Sequence, residues 1–152
     1  MACRALILFF IYLNIAMADR IEVKALNFYA DENAGKSVLS GDVVVKRDKD
    51  ILSSDELVIF MDKSRKPTRY EAKKNAQFNI SLKGKNYKGS GDKFIYIVDK
   101  DIYEIMGNAF IHELESDKKL YGDRIIVDRK ANVYRVESRD NKPARFIFEL
   151  EK

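Results

Sequence analysis

The chain is poor in the residues that most often carry chemistry. Of its 152 residues one is a cysteine, one a histidine and two are prolines. The cysteine, Cys3, stands ahead of an apolar run near the N-terminus, so the rest of the chain has no thiol for a disulfide, a nucleophile or a metal set. His112 alternates with Ile111 in a strand-like run and reads as a surface residue on the polar side. Ser37, Ser40, Ser53, Ser54, Ser81, Ser90 and Ser116 fall in turns or strand margins, without a nucleophile elbow. Gly89-Ser90-Gly91 is too short for a phosphate loop, and no helix follows it. No enzyme, cofactor or metal is therefore expected. Long hydrophobic runs are missing too. The longest, Ala5 to Met17, is about 13 residues, short of the ~20 that cross a bilayer as a helix.

That run has a different meaning. Arg4 precedes it and Ala16-Met17-Ala18 follows, which is the basic, apolar and small-residue order of a secretory signal peptide. Cleavage after Ala18 is expected, with residues 19–152 as one exported domain. About two-thirds of the surface of such a chain is buried on folding, enough for a core without disulfides. The formal charge is +4, and its basic residues are dispersed, with modest clusters at Lys63 to Arg69 and Lys83 to Lys88. Nucleic acid is not an expected partner. A mildly positive surface suits an anionic amphiphile, and it also suits exposed strand edges kept soluble by lysine.

What the chain does have is repetition. Three short runs open on a small residue and an aspartate: Ser54-Asp55-Glu56-Leu57, Gly91-Asp92-Lys93-Phe94 and Gly122-Asp123-Arg124-Ile125. A tyrosine follows each, at Tyr70, Tyr103 and Tyr134. A third element, in Gly41-Asp42-Val43, Lys74-Asn75-Ala76 and Gly107-Asn108-Ala109, returns at steps of about 33 residues. Apolar segments are short, rich in Val, Ile, Tyr and Phe, and bounded by turn residues, so an all-β domain is predicted. Thirteen strands are expected: 21–29, 37–46, 51–60, 68–72, 76–83, 85–88, 93–98, 102–106, 109–114, 119–121, 124–128, 132–137 and 144–150. Leu57, Ile59 and Met61 share a face, as do Phe94, Tyr96 and Val98, while Val58, Phe60, Ile95 and Ile97 make the opposite face apolar as well. Asp55, Asp92 and Asp123 occupy equivalent places in successive units, which argues for turn caps rather than a carboxylate pair around one cleft. By the same argument Tyr70, Tyr103 and Tyr134 are packing residues.

Three stretches, Ser40 to Val45, Gly91 to Tyr96, and Tyr103 to Ile111 continuing into Leu120 to Ile125, together resemble the OstA-like family of LptA lipopolysaccharide-transport proteins. The likeness runs from about Ile21 to Leu150. Asp42 stands where the family carries Asn and Lys74 where it can carry Gly, both read as turn positions. The resemblance implies a single β-jellyroll: two antiparallel sheets in a slightly open, V-shaped sandwich whose inside takes acyl chains. It further implies a periplasmic lipopolysaccharide-binding protein that bridges the inner and outer membranes. Its implied partners are lipopolysaccharide, an LptC-like inner-membrane protein, an LptD-like outer-membrane translocon and further copies stacked head to tail.

Under that reading the groove is lined by Leu26, Phe28, Val43, Val45, Leu57, Ile59, Phe78, Ile80, Phe94, Tyr96, Ile111 and Ile125. Stacking would use the strands at either end, Ile21 to Tyr29 and Ala144 to Leu150. Two rivals stay open. With the leader retained, the same domain would be a membrane-anchored, LptC-like receiver; with a dry, filled interior, it would be a scaffold that binds no lipid.

Overall fold

The computed structural model describes residues 20–139 and 142–150. The expected signal peptide, residues 1–18, lies outside the described residues. The predicted all-β, antiparallel architecture is what the chain forms, but with ten strands among the described residues in place of thirteen. They are β1 (Ile21–Lys24), β2 (Asn27–Asp31), β3 (Lys36–Arg47), β4 (Asp50–Met61), β5 (Pro67–Leu82), β6 (Lys85–Ile97), β7 (Ile102–Glu113), β8 (Lys118–Asp128), β9 (Val133–Glu137) and β10 (Arg145–Ile147). All belong to one sheet, ordered β1-β3-β4-β5-β6-β7-β8-β10, with β2 also on β3 and β9 also on β8.

Four pairs of expected strands, divided at Lys74-Asn75, Gly91-Asp92, Gly107-Asn108 and Gly122-Asp123, are continuous, and one expected strand is divided. The Gly-Asp, Lys-Asn and Gly-Asn pairs read as turns are bulges within continuous strands. Pairing slips between Ser40 and Val43, Lys73 and Ala76, and Met106 and Ala109, then resumes on the far side. Gly41, Asp42, Lys74, Asn75, Gly107 and Asn108 all have positive φ there, so each strand bends without ending. Asp42 and Lys74 are thus mid-strand positions, not turns. Ile21 to Tyr29, expected as one strand, breaks at Ala25-Leu26 so that β1 and β2 pair with opposite ends of β3.

The bulges line up across neighbouring strands and crease the sheet into two leaves. The first leaf holds β2, β9 and residues 36–40, 56–61, 67–73, 93–97, 102–106 and 124–128. The second holds β1, β10 and residues 43–47, 50–53, 76–82, 85–90, 109–113 and 118–122. The two sheets of the expected sandwich are these two leaves of one hydrogen-bonded sheet.

The aspartates of the repeat pin the crease. Asn75 Nδ2 donates to Asp55 Oδ2 at 3.0 Å, Asp92 lies over Gly107, and Asp123 accepts a hydrogen bond from the Arg139 backbone N–H. Their expected structural role is met at a bend, not at a strand start. Among the described residues no group of His, Cys, Asp or Glu is placed to hold a metal ion.

Core packing joins the leaves. Leu39, Leu57 and Ala72 of the first leaf pack with Val43 and Ala76 of the second, and Ile105 and Ile125 pack with Phe78 and Ala109. The Phe78 and Phe94 rings meet across the interior with centroids 5.2 Å apart.

Candidate functional site

Cross-strand register arranges the inner surface in rows. On the first leaf, Phe28, Leu39, Leu57, Ala72, Phe94, Ile105, Ile125 and Val136 stand side by side across the strands. Two positions further from the crease runs a second row: Ser37, Ile59, Tyr70, Tyr96, Tyr103, Val127 and Tyr134. On the second leaf the facing row is Val23, Val45, Leu52, Phe78, Gly89, Ile111, Leu120 and Phe146. Such rows follow from the period-two geometry of strands and from a register held fixed by the bulges.

All twelve residues expected to line the interior fall on the inner side or at its open end, in three environments. Val43, Leu57 and Ile125 are sealed in the core, at 1%, 1% and 0% exposure, and Phe78 is buried above Gly89. Val45, Ile59, Ile80, Phe94, Tyr96 and Ile111 are half-buried, so the inner surface remains partly accessible toward the mouth of the V. Leu26 and Phe28 are 74% and 68% exposed, at the end of the rows. Leu26 packs its side chain on Gly41 and donates its backbone N–H to the Gly41 carbonyl at 3.0 Å.

Polarity rises from crease to mouth. The sealed rows carry almost no polar side-chain atoms. Next come the tyrosines: Tyr96 and Tyr103 stack with centroids 4.3 Å apart, and Tyr70 stacks on Tyr96 at 6.3 Å. Burial raises the Tyr70 phenol above its ordinary value and raises Tyr96 further, with help from nearby Tyr103 and Asp101. On the inner side of the described residues, ion pairs appear only at the rims. Asp101 accepts from the Tyr96 hydroxyl at 3.0 Å and faces Arg129 at 3.7 Å. On the other leaf Glu113 is held by Ser116 at 2.6 Å and Lys85 at 3.0 Å, and Arg47 faces Asp50 at 3.7 Å.

Sequence reasoning missed part of this surface. Tyr70 and Tyr103 pack as expected, and it is against Tyr96, in the same inner row, that they do so. Leu52, Leu120 and Val127 also face inward. Of these only Val127 carries a local signal, its place two positions after the assigned Ile125. His112 lies on the outer surface as expected, with Nε2 2.6 Å from Asp117 Oδ1. Lys93 is outward too, paired with Glu71 at 2.7 Å. Two clefts of about 320 and 400 Å³ lie on the outside of the second leaf, around Gln77, Ser90 and Phe110 and around Phe110, Tyr121 and Pro143.

Large apolar side chains are exposed chiefly at the two ends of the sheet. Ile21, Leu26, Phe28 and Tyr29 crowd the β1/β2 end, and Val133, Tyr134, Phe146, Ile147, Phe148 and Leu150 the β9/β10 end. Each end also presents unpaired strand edges.

Comparison with known proteins agrees with this architecture. No curated protein matches the chain. The solved structure of LptH from Pseudomonas aeruginosa, described as the LptA homologous periplasmic component of the conserved lipopolysaccharide transport device, superimposes with a TM-score of 0.74. The two sequences are 17% identical, and the match covers 88% of this chain and 97% of LptH. Residues 22–133 match the family model described as LptA/(LptD N-terminal domain) LPS transport protein. With that model spanning most of the creased sheet, the chain belongs to the LptA/LptD N-terminal domain family of lipopolysaccharide-transport proteins.

Proposed function

We propose that this protein is a periplasmic carrier that holds the acyl chains of lipopolysaccharide between its two leaves and passes the lipid from the inner toward the outer membrane. One observation carries the reading: an apolar inner surface that runs unbroken across the strands, is half-open at the mouth, and ends in exposed apolar residues at both edges. On the inner side of the described residues, ion pairs stand only at the rims. Burying an acyl chain gains about 0.8 kcal/mol per CH₂, so the inner rows suffice for binding without polar recognition of the tail.

The contacts proposed for the lipid are the half-buried residues Val45, Ile59, Ile80, Phe94, Tyr96 and Ile111, together with Phe78 and the exposed Leu26 and Phe28. Val43, Leu57 and Ile125 belong to the sealed crease and support the surface from beneath. Movement of lipid along the groove is passive and follows supply from the inner-membrane side.

The ends extend the same surface to neighbours. An LptC-like protein, an LptD-like translocon or another copy of this chain, adding strands to the β1/β2 or β9/β10 edge, would carry the apolar rows from one molecule into the next. Export with cleavage after Ala18 fits this setting, as does the periplasmic location that LptH has. Co-purification tests the reading: protein isolated from the periplasm of a lipopolysaccharide-producing host carries lipopolysaccharide, and recovery free of it at the level of an unrelated β-sandwich would refute the carrier role.

A further inference from the structure

On the first leaf, the inner row of Leu57, Ala72, Phe94, Ile105 and Ile125 offers no side-chain hydrogen-bonding group. Two positions toward the mouth, about 7 Å along the strands, the row becomes Tyr70, Tyr96 and Tyr103. Beyond it stand Asp101 and Arg129. Tyrosine, with an apolar ring and a polar tip, suits a boundary between oily and wet surroundings.

The three hydroxyls are not equivalent. Tyr96 donates its proton to Asp101 at 3.0 Å. Tyr103 oxygen accepts from Arg129 Nη1 at 3.4 Å, which leaves its own O–H available. Tyr70 hydroxyl has no hydrogen-bond partner among the described residues. Two available donors therefore flank an occupied one at a single depth in the groove. Asp101 and Arg129, beyond the row, pair with each other at 3.7 Å and leave no net charge there, so the fitting partner at the tyrosine row is an uncharged acceptor, a carbonyl.

We infer that Tyr70 and Tyr103 set the depth of the bound amphiphile by donating hydrogen bonds to the acyl carbonyls that join its chains to its head. The inference rests on the lipid-carrier reading above and names the part of the lipid that is recognised. Chains lie below the tyrosine row, carbonyls at it and the head beyond the rim. Binding then favours carbonyl-linked chains over chains of equal length joined through ethers.

The test compares dimyristoyl phosphatidylglycerol with its dialkyl ether analogue of equal chain length, each competing against the apolar fluorescent probe phenylnaphthylamine. Wild-type protein prefers the acyl lipid by about tenfold, the size expected of two modest hydrogen bonds. The Tyr70→Phe, Tyr103→Phe double variant binds the two lipids alike and still binds the probe, while Tyr121→Phe, on the outer face of the second leaf, keeps the preference. Equal binding of the two lipids by wild type, or an undiminished preference in the double variant, overturns the inference and leaves the carrier reading standing. Failure of wild type to bind probe and lipids altogether overturns both.

Discussion

The ring of Phe78 lies directly over Gly89, its partner across β5 and β6, and fills the space that any side chain at Gly89 would need. The ring belongs to the core that joins the leaves, so it has little freedom to move away. Gly89→Ala is expected to destabilise the protein by about 1–3 kcal/mol, the usual cost of overpacking. Phe78→Leu in the same chain should recover part of the loss, because the shorter side chain vacates the site; urea unfolding of the four proteins measures the coupling. Strictly additive effects would mean that the two residues do not share that space.

Strain at the crease differs between equivalent positions. Gly107 has φ +78, whereas Lys74, one repeat earlier, holds φ 64 with a full side chain. A left-handed conformation costs an L-residue about 1–2 kcal/mol, partly offset in glycine by the greater freedom of its unfolded chain. Lys74→Gly should therefore raise stability by about 0.5–1 kcal/mol. Gly107→Ala should lower it by at least about 1–2 kcal/mol, from backbone strain and from the new methyl meeting Asp92, whose Cβ would lie 2.9 Å away and moves only with the backbone. A loss of stability in Lys74→Gly, or none in Gly107→Ala, in calorimetry would contradict the assignment of the bend to these residues.

Two ion-paired carboxylates tie stability to acid. At Glu71 burial pushes the carboxyl up, but the hydrogen bond from Lys93 and the charges of Lys93, Arg69 and Lys73 prevail and leave it lowered. Glu113 is lowered by hydrogen bonds from Ser116 and Lys85. A carboxylate lowered in the folded state contributes stability that is complete above its unfolded value, near 4.5, and is lost as pH falls through the folded value. The urea midpoint should thus hold steady from neutral pH to about 5 and drop below it. Glu71→Gln should lower the neutral midpoint and flatten the acid limb; an acid limb as steep as wild type would remove Glu71 from the account.

The fold was legible in the sequence because its repeat is the crease itself. Spacing of the Gly41, Lys74 and Gly107 positions gave the unit, and alternation gave the inner faces of β4, β5 and β6. Strand count went astray because the turn-type residues at Lys74-Asn75, Gly91-Asp92, Gly107-Asn108 and Gly122-Asp123 serve a bulge within a strand as well as a turn between strands. Only the register across neighbouring strands separates the two, and register is not local. The same limit hid where Tyr70 and Tyr103 pack: their regular return marked them as equivalent, but their alignment with Tyr96 depends on pairing between strands. Burial also escaped prediction, since Leu57 and Ile59 look alike in sequence yet one is sealed and the other reaches the mouth.

Ends of the sheet carry their own test. Phe28 is 68% exposed on the edge strand β2, so a charge there costs the fold little. Under the proposed end-to-end stacking, wild type self-associates as its concentration rises and Phe28→Asp shifts sedimentation toward the monomer, with an unchanged melting temperature. Undiminished association would move the interface away from this edge.

The central claim is that lipid lies between the leaves. A photo-crosslinking amino acid placed at Tyr96, on the inner row, and separately at Lys93, on the outer surface of the same strand, tests it most directly. The account predicts lipopolysaccharide adducts from the Tyr96 position and none from Lys93 on irradiation in cells. Adducts of equal yield from both, or from Lys93 alone, would contradict it.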